Sequence, residues 1–193
     1  MLLSPPASST DETLIERAAA RDADAVGELY DRFHRRVRVL ALRLLGDDML
    51  AEDVVHDVFV GLPTALARFE GRSSLSTFIL SITVNVARKK IRSSVRRRAA
   101  LSRLASEPDR VGPEDPERQH RQRELAEQLQ RALSALPDPQ REAFVLCVVE
   151  ERDSAEVAEI LGVPRGTVRT RLMHAKRALR GMLTKRGVRA GDA

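Results

Sequence analysis

Cysteine, tryptophan and long apolar segments are the scarcest features of this 193-residue sequence. It contains one cysteine, Cys147, and no tryptophan. A single cysteine excludes an internal disulfide and a cysteine-ligated metal cluster, so the sequence predicts a reducing, cytoplasmic location. Because Cys147 lies in the apolar run 143–149, core packing explains it better than redox chemistry.

Segments for membrane insertion and secretion are also lacking. No apolar run approaches the ~20 residues that a membrane span needs. Residues 1–10 do not combine a basic segment with a long apolar one, as a signal peptide would. We therefore expect neither membrane insertion nor a cleaved leader.

Motifs for catalysis and cofactor binding are missing as well. The chain has no glycine-rich phosphate loop, no metal-ligand cluster and no nucleophile motif. Its four histidines are scattered at His34, His56, His120 and His174. The sequence therefore predicts no catalytic residue, no metal and no cofactor, and an enzyme is the weakest interpretation.

Basic charge is abundant. The net charge of +5 and the pI near 10.1 favour a polyanionic partner, although a membrane surface would also fit. Only four of the 33 basic residues are lysines. Arginine suits bidentate phosphate and base contacts, but a GC-rich genome gives the same bias, and we prefer that explanation.

Acidic and basic residues are segregated between Asp47 and Arg98. No Lys or Arg occurs between Arg43 and Arg68, and no acid occurs between Glu70 and residue 107. The acidic part contains Asp47, Asp48, Glu52, Asp53 and Asp57. The basic part contains Arg72, Arg88, Lys89, Lys90, Arg92, Arg96, Arg97, Arg98 and Arg103. Because a solvated helix usually mixes its signs, this segregation predicts two partners, one basic and one polyanionic.

Both parts of this stretch have a helical period. The first predicted helix starts at Asp47 or Asp48, after Gly46 has ended the preceding one. Pro63 lies inside its apolar pattern and predicts a kink or a division into two helices. The buried stripe predicted for the second helix is Leu75, Phe78, Ile79, Ile82 and Val86. Its polar, then basic, face is the leading candidate for a nucleic-acid surface and holds Thr77, Ser81, Asn85, Arg88 and Arg92.

The remaining periodicity predicts an all-α protein of two small helical domains joined by a flexible linker. After a mobile tail at residues 1–10, four helices form the first domain at residues 11–98. Proline and glycine punctuate the linker at residues 99–116. The second domain occupies residues 117–185, and residues 186–193 form a tail.

Capping signals place the first two helices. Ser9 and Glu12 have capping-box spacing and open a short helix that extends through Arg21. Asp22 or Asp24 starts the next helix. The apolar face predicted for that helix, which runs to residue 45, is Val26, Leu29, Tyr30, Phe33, Val37, Leu40 and Leu44.

The second domain ends in the most specific pattern of the chain, after predicted helices at residues 117–136 and 138–149. Asp153 caps a short helix, with Glu156 at the capping-box position. Gly162 makes a tight turn, and Pro164 suits the start of a second helix that continues through Leu183. Its predicted exposed face holds Arg165, Arg169, Thr170, Arg171, His174, Lys176 and Arg177. A helix-turn-helix with a basic exposed face predicts DNA binding.

Two separate stretches resemble one family. Residues 51–59 (AEDVVHDVF), 66–71 (LARFEG) and 76–87 (STFILSITVNVA) resemble conserved region two of bacterial sigma factors of the extracytoplasmic-function group. Residues 136–137 (LP) and 157–172 (VAEILGVPRGTVRTRL) resemble region four of that group. The motifs occur in the family's order and cover nearly all the chain outside the predicted tails and linker.

The resemblance implies a sigma initiation factor, which directs core RNA polymerase to specific promoters and promotes DNA melting. Region two would be the four-helix domain, which binds the clamp helices of the largest polymerase subunit and melts the minus-ten element. Region four would be the helix-turn-helix domain, which binds the minus-thirty-five element and the polymerase flap. An anti-sigma protein is a further partner that the resemblance implies.

Site residues follow from the positions that match. The implied core-polymerase contacts are Glu52, Asp53, Asp57, Val58 and Phe59. The implied minus-ten contacts are Asn85, Arg88, Lys89 and Arg92, which combine a polar pocket for an extruded base with cations for its phosphates. The implied minus-thirty-five contacts are Arg165, Thr167, Arg169, Thr170, Arg171, Met173 and His174.

The chain departs from the family pattern at four positions. Pro63 and Phe78 stand where members often have tryptophan, and His174 stands where arginine is common. Arg152 replaces an apolar residue before the helix-turn-helix, which removes a hydrophobic staple.

Other interpretations remain open from the sequence alone. A helix-turn-helix regulator would bind duplex DNA without polymerase and would leave the acidic helix unexplained. Asn85 would, without the resemblance, be interpreted as capping or bridging neighbouring helices.

Overall fold

The structure is a computed structural model that describes the backbone of residues 9–101 and 118–185 and the side chains of residues 11–93 and 126–182. Over these residues the chain forms eight α-helices and one π-helical turn without a strand, which confirms the all-α prediction. The helices are α1 (Ser9–Ala19), α2 (Ala23–Leu45), α3 (Asp48–Leu66), α4 (Leu75–Leu101), α5 (Arg118–Ser134), α6 (Asp138–Phe144), α7 (Ser154–Leu161) and α8 (Arg165–Lys185). The predicted linker and both tails lie almost wholly outside the described residues.

Capping residues set the boundaries in the N-terminal unit, α1 to α4. Asp22 is the N-cap of α2, where its Oδ1 accepts hydrogen bonds from the backbone N–H of residues 24 and 25, as predicted. Gly46 ends α2 in the left-handed conformation, with a φ of 70°. Asp47 then caps α3 by accepting from Leu50 N at 2.9 Å. Helix α1 ends at Ala19, two residues before the predicted end, because Arg21 has a φ of 65° that no helix tolerates.

Pro63 does not divide α3, so that part of the prediction is wrong. The helix continues from Asp48 to Leu66 with Pro63 inside it. Proline cannot donate to the carbonyl of Phe59, but it lies in the last turn, where only one intrahelical bond is lost. The carbonyl of Pro63 still accepts from Ala67 N at 3.1 Å.

Helix α4 is covered on more sides than its period indicates. Leu75 and Ile79 are buried as predicted, but Phe78, Ile82 and Val86 are only half-buried. The residues buried in addition are Thr77, Leu80, Thr83, Val84 and Ala87. The reason is that α4 packs against α2 and α3 and also against α7. The predicted polar face is therefore wrong at Thr77, whose hydroxyl accepts from Ser74 Oγ at 2.9 Å.

One residue of the apolar face predicted for α2 is also misplaced. Tyr30 is 42% exposed. Its ring stacks on His34 and meets Phe59 edge-on, in both cases with 4.9 Å between ring centroids. A tyrosine can pack one side of its ring and leave its hydroxyl in water, which a hydropathy pattern does not distinguish from full burial.

The C-terminal unit, α5 to α8, forms the predicted helix-turn-helix. The capping box at the start of α7 is complete, since Asp153 Oδ1 accepts from Glu156 N at 2.9 Å and Glu156 Oε2 accepts from Asp153 N at 3.2 Å. Gly162 closes α7 with a φ of 65°. Helix α8 follows at Arg165 and buries Val168 and Leu179 against the rest of the unit.

The single helix predicted over residues 138–149 ends differently. Helix α6 stops at Phe144, and Val145–Val149 form a π-helical turn. Glu150 N donates to Val145 O at 2.9 Å, one residue farther back than in an α-helix. The wider turn brings Glu150 into a nearly buried position, 8% exposed, at the boundary with α2.

The two units pack directly against each other. Helix α4 contacts α7, and α2 contacts α5 and the π-helical turn. Gln130 Nε2 on α5 donates to the carbonyl of Leu42 at the end of α2, over 3.2 Å. In the part of the chain that the structure describes, no helix is long and apolar enough to cross a membrane.

Candidate nucleic-acid and protein interfaces

The acidic face of α3 is exposed but already paired with basic side chains. Lys90 on α4 places its Nζ 2.9 Å from Asp57 Oδ2 and 3.4 Å from Asp53 Oδ2. The hydrogen bond to Asp57 raises the pKa of Lys90, so this cation stays charged. Arg38 on α2 similarly pairs with Glu52. The three acids keep about half of their side-chain surface in water and remain available to a basic partner.

Val58 and Phe59 are placed differently from these acids. Val58 is fully buried and Phe59 is 7% exposed, so both belong to the core of the N-terminal unit. Their side chains fix α3 against its neighbours and do not face solvent. Of the five implied core-polymerase contacts, only Glu52, Asp53 and Asp57 therefore present a side chain to a partner.

The basic face of α4 has an exposed part. Asn85, Lys89 and Arg92 all point into solvent. Within the described side chains, Asn85 makes no hydrogen bond and Lys89 makes no ion pair. The interpretation of Asn85 as a cap or bridge between helices is therefore not what the structure shows. Its amide is free to donate to and accept from a base edge.

Arg88, one turn after Asn85, is engaged by the C-terminal unit. Its Nε lies 2.7 Å from Glu142 Oε1, and its Nη2 lies 2.8 Å from Glu142 Oε2. The side chain of Glu142 is 6% exposed and that of Arg88 is 29% exposed. The hydrogen bond to Glu142 raises the pKa of Arg88 despite its partial burial. An implied DNA contact is thus an inter-domain contact in this structure.

Further hydrogen bonds between side chains join the two units. Arg36 on α2 donates from Nε to Glu150 Oε2 at 2.5 Å and from Nη1 to Ser76 Oγ at 3.2 Å. Arg152 donates to the same Ser76 Oγ at 2.6 Å and to Glu156 at 2.8 Å. Arg152, which departs from the family pattern, therefore replaces a hydrophobic staple with a polar bridge to α4.

Sequence reasoning missed this inter-domain network because its members lie up to 114 residues apart. One signal was present. Glu142 and Glu150 flank the apolar run 143–149, where a buried acid requires a buried cation. The spacing of residues along the sequence does not show which arginine pairs with each acid.

Five of the seven residues implied for the minus-thirty-five contact have exposed side chains on α8. Arg169, Thr170, Met173 and His174 are exposed, as is Arg165, whose Nε donates to Ser154 Oγ at 2.9 Å. Thr167 and Arg171 are half-buried. Leu172 and Met173 form the apolar floor of a shallow groove whose basic rim is Arg169, Lys176, Arg177 and Arg180. Basic rims around apolar side chains suit phosphates beside thymine methyl groups in a major groove.

Nothing in the described residues forms a metal site. No group of three or more His, Cys, Asp and Glu side chains comes together there. Cys147 is half-buried, and this burial raises the pKa of its thiol, which makes it less reactive. Its position agrees with the packing role predicted for it.

Comparisons with known proteins point to one family. The sigma-70 region 2 family matches residues 29–97, and the sigma-70 region 4 family matches residues 126–179. The first match contains the surfaces on α3 and α4. The second contains the helix-turn-helix.

Named relatives agree. The chain is 30% identical over 179 residues to the ECF RNA polymerase sigma-E factor of Escherichia coli, which covers 88% of this chain and 92% of the relative. It is 33% identical over 160 residues to the ECF RNA polymerase sigma factor SigE of Mycolicibacterium smegmatis. That match covers 82% of this chain, but the chain spans only 61% of that relative's length.

A solved structure has the same fold. The complex of CnrH with the cytosolic domain of CnrY matches with a TM-score of 0.65 and 25% identity. The match covers 91% of this chain and 97% of the matched chain. The chain therefore belongs to the extracytoplasmic-function group of RNA polymerase sigma factors and is a promoter-directing transcription initiation factor.

Proposed function

We propose that this sigma factor uses three separate surfaces, on α3, α4 and α8, to bind core polymerase, the minus-ten element and the minus-thirty-five element. The observation that carries the proposal is their separation by charge and chemistry. Acids face solvent on α3, an unpaired amide with cations faces solvent on α4, and arginines surround an apolar groove on α8.

The acidic surface on α3 is the proposed contact for core polymerase, specifically the clamp helices of its largest subunit. The three acids on this surface are exposed: Glu52, Asp53 and Asp57. Their ion pairs with Arg38 and Lys90 lie at the protein surface, where such pairs contribute little stability. A basic partner can therefore replace these cations at little cost. Val58 and Phe59 support the surface from within the core.

The face of α4 is the proposed site of minus-ten recognition and melting. Asn85 would hydrogen-bond to an extruded base, while Arg88, Lys89 and Arg92 would hold the phosphates of the unpaired strand. The exposure of Asn85 and Lys89 supports this assignment.

The face of α8 is the proposed minus-thirty-five reader, and the same unit would bind the polymerase flap. Arg165, Arg169, Thr170, Met173 and His174 are exposed along one side of the helix, as base readout in a major groove requires. Thr167 and Arg171 are half-buried and would contact the backbone at the edge of that surface.

Regulation by an anti-sigma protein in the cytoplasm completes the proposal. The support is the similarity to CnrH, whose structure was solved with the cytosolic domain of CnrY. We further propose that the chain performs no catalysis of its own, since its relatives are sigma factors.

The proposed core contact can be tested by charge reversal. Asp53→Lys with Asp57→Lys should weaken binding to core polymerase about tenfold or more, because like charges would then face each other. The measurement is binding of fluorescently labelled sigma factor to purified core enzyme, with circular dichroism to show that the helices remain.

A matched control makes the result specific. Glu12→Lys with Glu16→Lys makes the same change in net charge on the exposed face of α1. Core binding by the α3 double variant that equals binding by this control would remove the acidic face of α3 from the polymerase interface.

A further inference from the structure

We propose that Glu142 is an intramolecular competitor of promoter DNA, and that the pair Arg88–Glu142 keeps the minus-ten face of the free protein latched to the C-terminal unit. The inference rests on the proposed assignment of Arg88 to minus-ten DNA. It adds a regulatory contact to that site, which is released when the two units separate.

The geometry of the pair imitates a phosphate complex. Two parallel hydrogen bonds, of 2.7 and 2.8 Å, join the Arg88 guanidinium to both carboxylate oxygens of Glu142. The same fork binds two oxygens of a phosphate. Glu142 occupies the edge formed by Nε and Nη2, so Glu142 and a promoter phosphate compete for that edge of Arg88.

The burial of Glu142 ties this exchange to a movement of the domain. Its side chain is 6% exposed, and Arg88 is the only cation that the described residues place on it. A carboxylate left buried without its cation is strongly unfavourable. DNA can therefore take the Nε–Nη2 edge of Arg88 only if Glu142 reaches water, which requires α6 to move away from α4.

Other polar contacts join the same two units, beside the apolar packing of α4 against α7. Arg36–Glu150 and the two bonds that Ser76 Oγ accepts from Arg36 and Arg152 join the same two units. Polar inter-domain contacts of this kind resemble transient interfaces between proteins. Glu150 should therefore contribute to the closed state without touching the minus-ten face.

The latch leaves the polymerase-binding surface accessible. Asp53 and Asp57 pair with Lys90 and take no part in the inter-domain contacts. Core polymerase can therefore capture the closed protein first, and opening can follow.

The test uses the full-length free protein and a single-stranded oligonucleotide of the minus-ten non-template sequence. Glu142→Gln keeps the shape of the side chain and removes its charge. If about nine in ten wild-type molecules are closed, opening should raise the affinity about tenfold, because only the open fraction binds. Fluorescence anisotropy measures the affinity, and small-angle X-ray scattering should show a larger radius of gyration.

Two further variants separate the latch from a simple charge effect. Glu159→Gln removes one negative charge at an exposed position on α7 and should change the affinity less than about twofold, as expected for a surface charge. Glu150→Gln breaks a different ion pair of the same interface and should also raise the affinity and expand the protein. It keeps the test decisive if Glu142→Gln folds poorly.

The contrary results are distinct from failure of the proposed function. Affinities of Glu142→Gln and Glu150→Gln equal to that of Glu159→Gln, with unchanged scattering, would overturn the latch and leave the assignment of Arg88 intact. An expanded Glu142→Gln whose affinity is unaffected by a second change, Arg88→Ala, would instead overturn the DNA role of Arg88 and with it the competition.

Discussion

The two surfaces proposed to bind DNA differ in how the free protein presents them. On α8, Arg169 and His174 are exposed, and within the described residues neither forms an ion pair. On α4, Asn85 is exposed, but Arg88 one turn away is held by a nearly buried carboxylate of the other unit. The side chains on α8 are therefore accessible to DNA in the free protein, whereas on α4 Arg88 would first have to leave Glu142.

The difference matches the order in which a promoter would be engaged. A duplex reader meets intact DNA and benefits from side chains that are already placed on a rigid helix. A melting surface meets its ligand only after bases have left the stack. An intramolecular ion pair that holds one of its cations until that moment would limit binding to unrelated single strands.

Arg169→Ala tests the surface on α8 and should have the largest effect on DNA binding. If Arg169 forms a bidentate pair with guanine, the variant should lose about 1–3 kcal/mol of binding free energy at one base position. Holoenzyme binding to a set of minus-thirty-five variants measures it, with Arg131→Ala on the exposed side of α5 as the charge-matched control. An equal loss on every variant would show that Arg169 contacts phosphate.

Lys89→Ala and Arg88→Ala compare two neighbouring cations of α4. Lys89 is exposed, whereas Arg88 is paired with Glu142. In open complexes each should lower the slope of log affinity against log salt by roughly one unit, because each loses one phosphate contact. In binding of the free protein to single strands, only Lys89→Ala should show the full change. Arg88→Ala that matches Lys89→Ala in the free protein would indicate that Arg88 is not held back.

The uncharged neighbour Asn85 is the control for these slopes. Asn85→Ala should leave the salt dependence unchanged, since no phosphate contact is lost. A changed slope in this variant would show that the slopes report folding and not counterion release.

Asp153→Ala should give the smallest effect. It removes the N-cap of α7 and should lower the stability of the C-terminal unit, which contains α8. Bonds from the N–H groups of Glu156 and Ala155 lower the pKa of Asp153 below its usual 3.8. The cap therefore stabilises the fold fully above that ordinary value and loses its effect as the pH falls through the lower folded pKa. Its removal should cost about 0.5–2 kcal/mol at neutral pH.

Thermal melts of wild type and Asp153→Ala between neutral and acid pH measure this contribution. The difference in melting temperature should shrink as the pH falls. A difference that stays constant would show that the lost stability does not come from the ionised carboxylate.

Local chemistry explains why much of the fold was predictable. Asp22, Asp47 and Asp153 are N-caps, and Gly46 and Gly162 have positive φ, because each of these residue types satisfies a helix end without help from the rest of the chain. The helix-turn-helix and its exposed arginines follow from the same short-range rules.

Tertiary contacts explain what was missed. Thr77 is buried on α4, which packs against α7 as well as against α2 and α3, and no hydropathy period reports this additional packing. The pairing of Arg88 with Glu142 spans 54 residues and crosses the predicted linker. The sequence could identify Arg88 as basic and well placed, but it could not show that its charge was already in use.

Permanganate footprinting with the Asn85→Ala holoenzyme tests the division between the two surfaces most directly. The variant and wild type are compared on a duplex promoter and on the same promoter with a pre-melted bubble at the minus-ten element. If α4 melts and α8 reads the duplex, the variant should form closed complexes and react normally on the bubble, but should show little reactivity on the duplex. Melting of the duplex by Asn85→Ala to the wild-type extent would contradict the account.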